Sequence, residues 1–363
     1  MASTGSVTIE GRTINVKGIR LLPSSTFIVT YGGGYGGATE PTEVGTYRFG
    51  ASVIADNGTW VGEKPQFAVV AVTAPLYGCN SATRPAGVGG QFPLQNGVVQ
   101  ANLYNTWKSA GSIRQCSGPT GVTNDLALGD LKATNYGPAG YPEVAYGYNL
   151  NDVSFCGTCP TRPFPVRVSE LLGDSNDLRL SLDYALGKAF PPTLPRDFIY
   201  DIWLEQAARP GRPPVAGDVE LIVILYQHAI ATCSGGTAPV PFSTVLTVNG
   251  KAVRSTWHVC RIKGGTAATP VAFFLDSPAQ SDSGRLVLGL RDFVAAASTY
   301  LGQSLLDHSV LGLEVGGEFD QCSVHDGCEV PQLRWGWRVH DLTIINGRGS
   351  VPIVFSQRQP GLG

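Results

Sequence analysis

The sequence predicts an all-β protein, a double-sheet jelly-roll sandwich with one packed helix, preceded by a small β-sandwich. Three observations predict it. Glycine (46) and proline (25) are abundant among 363 residues while charged residues make up only 15%, the composition of many strands joined by turns. Short apolar stretches of period two recur along most of the chain, whereas helical spacing persists only over roughly 292–305, through Phe293, Ala296, Ala297, Tyr300 and Leu301. The length itself favours two domains.

Taken in order, residues 6–74 alternate: Val7 and Ile9, then Phe27, Val29 and Tyr31, then Tyr47, Phe49, Ala51 and Val53, then Phe67, Val69 and Ala71. These short strands assign residues 1–75 to a small β-sandwich. Asp56-Asn57-Gly58 reads as a hairpin turn, because Asn and Gly tolerate positive φ. Gly32, Gly34 and Gly37 match the G-x-G-x-x-G spacing of a pyrophosphate cradle, but no helical pattern follows, so nucleotide binding is not expected. Asn57-Gly58-Thr59 is a glycosylation sequon.

Residues 83–90, Thr-Arg-Pro-Ala-Gly-Val-Gly-Gly, have the composition of a connector, and the boundary lies there or slightly before. The jelly roll is assigned to 76–350 and a C-terminal tail to 351–363. Candidate strands within it run over 98–104, 166–171, 178–184, 199–205, 220–226, 244–248, 271–275 and 286–290. Val248-Asn249-Gly250-Lys251 is a strong hairpin signal. Many strands and one helix over this length fit two stacked sheets.

Eight cysteines, an even set, point to export into an oxidising compartment. Proximity suggests Cys79 with Cys116, Cys156 with Cys159, Cys233 with Cys260, and Cys322 with Cys328. A zinc reading of the Cys156/Cys159 C-x2-C lacks a matching second half. The net charge of -2 suggests no nucleic-acid partner. No apolar run approaches the length of a bilayer-spanning helix, and no membrane partner is expected. Residues 1–5 show no signal-peptide core; a secreted protein lacking its leader would read this way. No cofactor or metal is expected, and the protein is expected to be a monomer.

Acidic residues within apolar strands carry the functional signal. In the stretch 217–226, Gly-Asp-Val-Glu-Leu-Ile-Val-Ile-Leu-Tyr, alternation puts Glu220, Ile222, Ile224 and Tyr226 on one face and Leu221, Val223 and Leu225 on the other. The second set reads as core and the first as a cleft wall. Asp201, in Phe198-Ile199-Tyr200-Asp201-Ile202-Trp203-Leu204, and Glu318, in Leu313-Glu314-Val315-Gly316-Gly317-Glu318-Phe319, sit in similar settings. An ionised carboxylate there is costly unless paired or functional. Two carboxyls facing one groove are what glycoside hydrolysis needs, one to attack the anomeric carbon and one to protonate the leaving oxygen.

Seven segments in order carry a family resemblance: Asn102-Leu103-Tyr104-Asn105, Tyr141-Pro142-Glu143-Val144-Ala145-Tyr146-Gly147-Tyr148, Tyr200-Asp201-Ile202-Trp203-Leu204, Gly217-Asp218-Val219-Glu220, Val248-Asn249-Gly250, Gly316-Gly317-Glu318-Phe319 and Trp335-Gly336-Trp337. Through them residues 76–347 resemble the family 12 glycoside hydrolases, retaining endo-β-1,4-glucanases with a concanavalin-like β-jelly roll. The resemblance implies Glu220 as nucleophile, Glu318 as general acid/base and Asp201 as the acid that orients the nucleophile. It also implies a separation of roughly 5 to 5.5 Å between Glu220 and Glu318 and a protonated resting Glu318. Glu314 shares the strand face of Glu318 and also fits the pattern; alternation leaves both open, and the choice of Glu318 rests on the resemblance. The chain departs from the family in having Tyr104 where tryptophan is usual, Gly317 where threonine is usual, and Ile222 and Ile224 where methionine and tryptophan are usual. Residues 30–53, with Gly45-Thr46-Tyr47, resemble bacterial immunoglobulin-like modules, which implies a spacer or adhesion role for the first domain.

Tyr104, Trp107, Tyr146, Tyr148, Trp203 and Tyr226 are candidate platforms for pyranose rings, with core burial the competing reading for each. Trp335 and Trp337 read as packing residues. The histidines at 228, 258, 308, 325 and 340 show no metal-ligand spacing, although His228 alternates onto the face of Glu220. The expected function is a secreted retaining endo-β-1,4-glucanase acting on cellulose or mixed-linkage β-glucan. A xyloglucan-specific endoglucanase is the nearest variant. A non-catalytic glycan-binding jelly roll is the alternative of another class, but it has no need of two opposed acids.

Overall fold

The computed structural model describes residues 4–9, 12–17, 26–32, 45–54, 66–72, 78–84, 91–94, 97–103, 110–118, 121–131, 138–147, 163–173, 177–206, 213–230, 233, 238–262, 266–276, 280–320, 330–347 and 349–353. The chain divides into two compact units, Met1–Pro75 and Leu76–Gly363. In the first, β1 (Thr4–Ile9) pairs antiparallel with β2 (Arg12–Lys17), and β3 (Thr26–Gly32), β4 (Gly45–Ile54) and β5 (Gln66–Val72) form a separate antiparallel sheet. The Asn57 turn and sequon, and Gly34 and Gly37, lie outside the described residues.

The second unit is all-β with two helices. Its strands are β6 (Gly78–Arg84), β7 (Gln91–Pro93), β8 (Val98–Gln100), β9 (Ala110–Gly118), β10 (Gly121–Leu131), β11 (Pro138–Gly140), β12 (Glu143–Gly147), β13 (Val166–Arg167), β14 (Arg179–Leu186), β15 (Arg196–Glu205), β16 (Val219–His228), β17 (Val240–Val248), β18 (Lys251–Arg261), β19 (Thr269–Leu275), β20 (Ser283–Gly289), β21 (Ser309–Asp320), β22 (Val330–Asn346) and β23 (Gly349–Pro352). The helices are α1 (Val168–Leu172) and α2 (Leu290–Leu301). Hydrogen-bonded neighbours run β6-β9-β10-β22-β14-β20-β17 and continue through β18-β19-β16-β15-β21-β12-β8-β7 in one closed sheet. Only β16 and β19 run parallel among these pairs.

The two halves of this sheet face each other across one core, as in a sandwich. From one half come Leu126, Leu182, Trp335, Trp337 and Leu342; from the other come Val144, Phe198, Tyr200, Ile202, Leu221, Val223 and Val315. Rings meet across the gap, Tyr184 stacking on Phe198 at 5.0 Å and Trp337 edge-on to Phe198 at 6.0 Å. Trp335 and Trp337, each 3% exposed, are packing residues. A Cβ on Gly317 would lie 2.3 Å from Trp335 Cη2, so the sheets meet there through a glycine because no side chain fits.

The helix near 292–305 is α2, whose Phe293 packs edge-on to Trp257 at 5.0 Å and to Phe273 at 5.1 Å. Gly302 ends it in the left-handed conformation at φ 64°, the position glycine fills most cheaply. Residues 166–171 are not one strand: β13 is two residues long and passes into α1, where Val168 and Leu171 are buried and Glu170 occupies the first turn. A one-sided apolar pair three residues apart fits a helical turn, and an acid is favoured at its N-terminal end. The hairpin at Val248–Lys251 forms, with Asn249 and Gly250 both at positive φ. Two disulfides join Cys79 to Cys116 and Cys233 to Cys260; Cys156, Cys159, Cys322 and Cys328 lie outside the described residues.

Candidate active site

The acids come together because β16, β15, β21 and β12 are consecutive neighbours in the sheet. Asp201 on β15 faces Ile222 on β16 and Glu314 on β21. Trp203 faces Glu220 and Gly312, and Glu314 in turn faces Ala145 on β12. Residues directly opposite in antiparallel strands share a face, so Glu220, Asp201, Trp203, Glu314 and Glu143 all project to the side away from the main core. Phe198, Tyr200 and Ile202 alternate to the core side. The acid side also carries a second, smaller apolar cluster of Tyr141, Ile199, Ile222, Ile224, Cys260, Ala272 and Phe274. The carboxyls therefore sit against hydrocarbon: Glu143 is fully buried, Asp201 and Glu314 are each 7% exposed, and Glu220 is half-buried.

Two diagonal carboxyl pairs result. Glu220 is two positions from the residue facing Asp201, and Glu143 is two positions from the residue facing Glu314, the spacing at which long side chains reach each other. Side-chain hydrogen bonds join Asp201 to Glu220 and Glu143 to Glu314. A bond between two carboxyls needs a proton on one of them. Accordingly, Glu143 Oε2 and Asp201 Oδ1 are buried with no N–H or O–H donor among the described residues.

Burial is the main cause that raises all four carboxyls. Glu220 is pushed to about 7 by desolvation and by the charge on Glu314, against a lowering hydrogen bond from Asp201. Glu314 is pushed to about 7 by desolvation, against lowering contacts from Glu143 and Trp203. Desolvation and the neighbouring carboxylates hold Asp201 and Glu143 well above the usual range. The arrangement is two carboxyl pairs, Asp201 with Glu220 and Glu143 with Glu314, each joined by a bond that needs one proton. Asn102, at φ 39°, donates its Nδ2 to Glu143 Oε1 at 3.0 Å and its backbone carbonyl accepts from the Tyr141 N–H at 2.9 Å. Asn is among the few residues that enter the left-handed region readily, and this one fixes the Glu143 carboxyl from below.

The register changes the place of Glu318. Its partner on β15 is Asp197, not Asp201. Four residues beyond Glu314 on an extended strand is about 14 Å, so Glu314 rather than Glu318 is the β21 carboxyl beside Asp201 and nearest Glu220. Glu314 is among the charges that raise Glu220, and Glu318 is among those that raise Asp201 and Glu143. Of the two glutamates that alternation left open, the register sets Glu314 opposite Asp201, and Glu318, which the resemblance implies, opposite Asp197.

A β-bulge changes Tyr226 and His228. Ile199 faces Ile224 but Phe198 faces Tyr226, so Leu225 is an extra residue on β16 and everything after it changes face. Tyr226 packs against the main core beside Phe198 and its hydroxyl accepts a bond from Arg196 Nη2 at 3.3 Å. Gln227 takes the acid side instead, opposite Asp197. Tyr146 also lies on the core side, facing Leu313, fully buried and edge-on to Phe164 at 6.0 Å. Trp203 alone of the described candidate aromatics stands on the acid face, 4% exposed and packed with Ala268; Tyr104, Trp107 and Tyr148 lie outside the described residues. Glu143, Asn102 and Tyr141 were not singled out from the sequence as site residues. The signal for Glu143 was present, since it is a carboxylate within the apolar run Glu143-Val144-Ala145-Tyr146, the same pattern that marked Asp201.

No protein-family model matches the chain, and no curated protein does. Among solved structures the chain is similar to an endoglucanase from Rhodothermus marinus (TM-score 0.45, 18% identity, covering 75% of this chain and 99% of that one). It is similar also to a family 12 xyloglucanase from Bacillus licheniformis (TM-score 0.49, 16% identity, 73% and 99% covered). A third is the catalytic domain of Cel12A from Humicola grisea, in complex with a soaked thio-cellotetraose (TM-score 0.46, 17% identity, 72% and 98% covered).

Proposed function

We propose that the protein is a retaining glycoside hydrolase that cleaves internal β-1,4-glucosidic bonds, with Glu220 as nucleophile and Glu314 as general acid/base. The observation that carries this reading is the pair of diagonal carboxyl contacts, Asp201 with Glu220 and Glu143 with Glu314, meeting on one face of adjacent strands. Glycoside hydrolysis uses one ionised and one protonated carboxyl on either side of the scissile bond. Asp201 supplies the difference on one side: as a neutral acid it donates to Glu220, which favours the ionised nucleophile. On the other side desolvation raises Glu314 to about 7, and in this reading Glu314 holds the single proton of its pair with Glu143 and delivers it to the leaving oxygen.

In the first step Glu220 attacks the anomeric carbon, the glycosidic C–O bond breaks, and the Glu314 proton goes to the departing oxygen, leaving a glycosyl ester on Glu220. In the second, Glu314 takes a proton from water as that water displaces Glu220, which restores both groups and retains configuration. The sequence resemblance supports a β-1,4-glucan as substrate, with secretion in keeping with the disulfides, and favours a xyloglucan as the nearest variant.

The test is hydrolysis of barley β-glucan, carboxymethylcellulose and xyloglucan, followed by the anomeric configuration of the first-formed product. Release of β-anomer supports the proposal. First-formed α-anomer, or no soluble product from any of the three, contradicts it.

A further inference from the structure

The opposite half of the sandwich carries a second feature that the glycosidase chemistry does not use. On the outer side of β9, β10, β22 and β14 lies a trough of about 700 Å³. Its floor is made of small residues, Ala127, Ala185, Gly187 and Gly336, and the Gly187 N–H donates to the Gly336 carbonyl at 2.7 Å. A Cβ on Gly336 would lie 2.7 Å from the Asn124 carbonyl oxygen, so the floor is kept low at that point by necessity. Four cations, Arg114, Lys188, Arg334 and Arg338, line it against one carboxylate, Asp125.

None of these four cations forms an ion pair among the described residues; Arg114 makes only a 3.6 Å contact from Nη2 to Cys79 Sγ. Arg334 and Arg338 flank Gly336 along β22, about 14 Å apart at strand spacing. That span is too long for a single small anion and suits a chain with charges repeated along it. Guanidinium forks match carboxylates in a planar, two-bond geometry. Phe190, 54% exposed, is bridged to Arg334 by two backbone hydrogen bonds and places an aromatic ring beside the arginine, a surface on which the C–H face of a sugar ring packs. Asp125, facing both Arg114 and Gly336, accepts hydroxyl hydrogen bonds of a sugar chain.

We propose that this trough binds an anionic polysaccharide of the uronate type, laid along β22, independently of the acid face. The probe is polygalacturonate, read by retardation of the full chain in native gels at low salt, with neutral barley β-glucan and single-stranded RNA as competitors. Retardation that weakens as salt rises, and falls about ten-fold or more in Arg334→Ser/Arg338→Ser while the melting curve stays that of the wild type, supports the proposal. If that double variant does not fold, Lys188→Ser is the second probe and loses part of the retardation. Absence of retardation, retention undiminished in folded variants, or displacement by RNA at lower concentration than by polygalacturonate overturns it. Because the readout is binding, its failure leaves the glycosidase reading untouched, and the reverse also holds.

Discussion

Asp201 on β15 and Glu143 on β12 lie on either side of β21, each a buried acid that burial and neighbouring carboxylates hold above the usual range and that bonds to a second carboxyl. Removing the donor from Asp201 raises Glu220 further. Asp201→Ala is therefore expected to shift the acidic limb of the kcat/KM profile upward in pH and to lower activity by about 10²-fold or more, measured as sugar release across pH 4 to 9. Stability carries its own signature. Glu314 titrates near 7 in the folded protein against an ordinary 4.5, so the folded state holds a proton that the unfolded chain releases. Its contribution is full below about pH 4.5, declines as pH rises toward 7, and is lost above. Glu314→Gln should flatten that decline and exceed the wild type in stability at pH 8, read by denaturant titration at pH 5 and pH 8. How far single residues could be read in advance followed burial. Asp201 and Glu220 betrayed themselves as carboxylates in β-branched runs, whereas the choice between Glu314 and Glu318 depended on which residue of β15 each would face, and no feature of β21 alone carries that.

At the level of elements, period two was enough to find most strands and too little to keep their faces. The bulge at Leu225 exchanges Tyr226 for Gln227 on the acid side, because one inserted residue inverts every later position. Nothing in Ile224-Leu225-Tyr226 announces it. The turn at Asn249–Gly250 was legible because positive φ at two successive positions selects that dipeptide. Asn249 also accepts the Arg285 N–H through its Oδ1 at 2.8 Å, so Asn249→Ala is expected to cost about 1 to 2 kcal/mol in thermal unfolding. Gly317 is the more severe position. Any side chain there meets Trp335 and Trp337, and Gly317→Val should destabilise by several kcal/mol or leave the protein insoluble.

For the whole molecule, composition and turn frequency announced the all-β class, and the pairing of distant segments could not be read from them. β16 lies beside β15 and β19, and β22 beside β10 and β14, contacts set by the closure of the sheet and not by local sequence. The four carboxyls of the candidate site, Glu143, Asp201, Glu220 and Glu314, all lie in the unit Leu76–Gly363. A chain of residues 76–363 is expected to fold and to release sugar at the rate of the full chain. The most direct measurement of the central claim, that Glu220 and Glu314 form the catalytic pair, compares a natural glucan with an aryl cellobioside whose leaving group needs no proton. Glu314→Ala should lose about 10³-fold on barley β-glucan yet retain most of its glycosylation rate on 2,4-dinitrophenyl β-cellobioside, Glu220→Ala should lose both, and Glu318→Ala should stay within a few-fold of the wild type on each. Selective loss of glucan cleavage in Glu318→Ala with Glu314→Ala unaffected would contradict it.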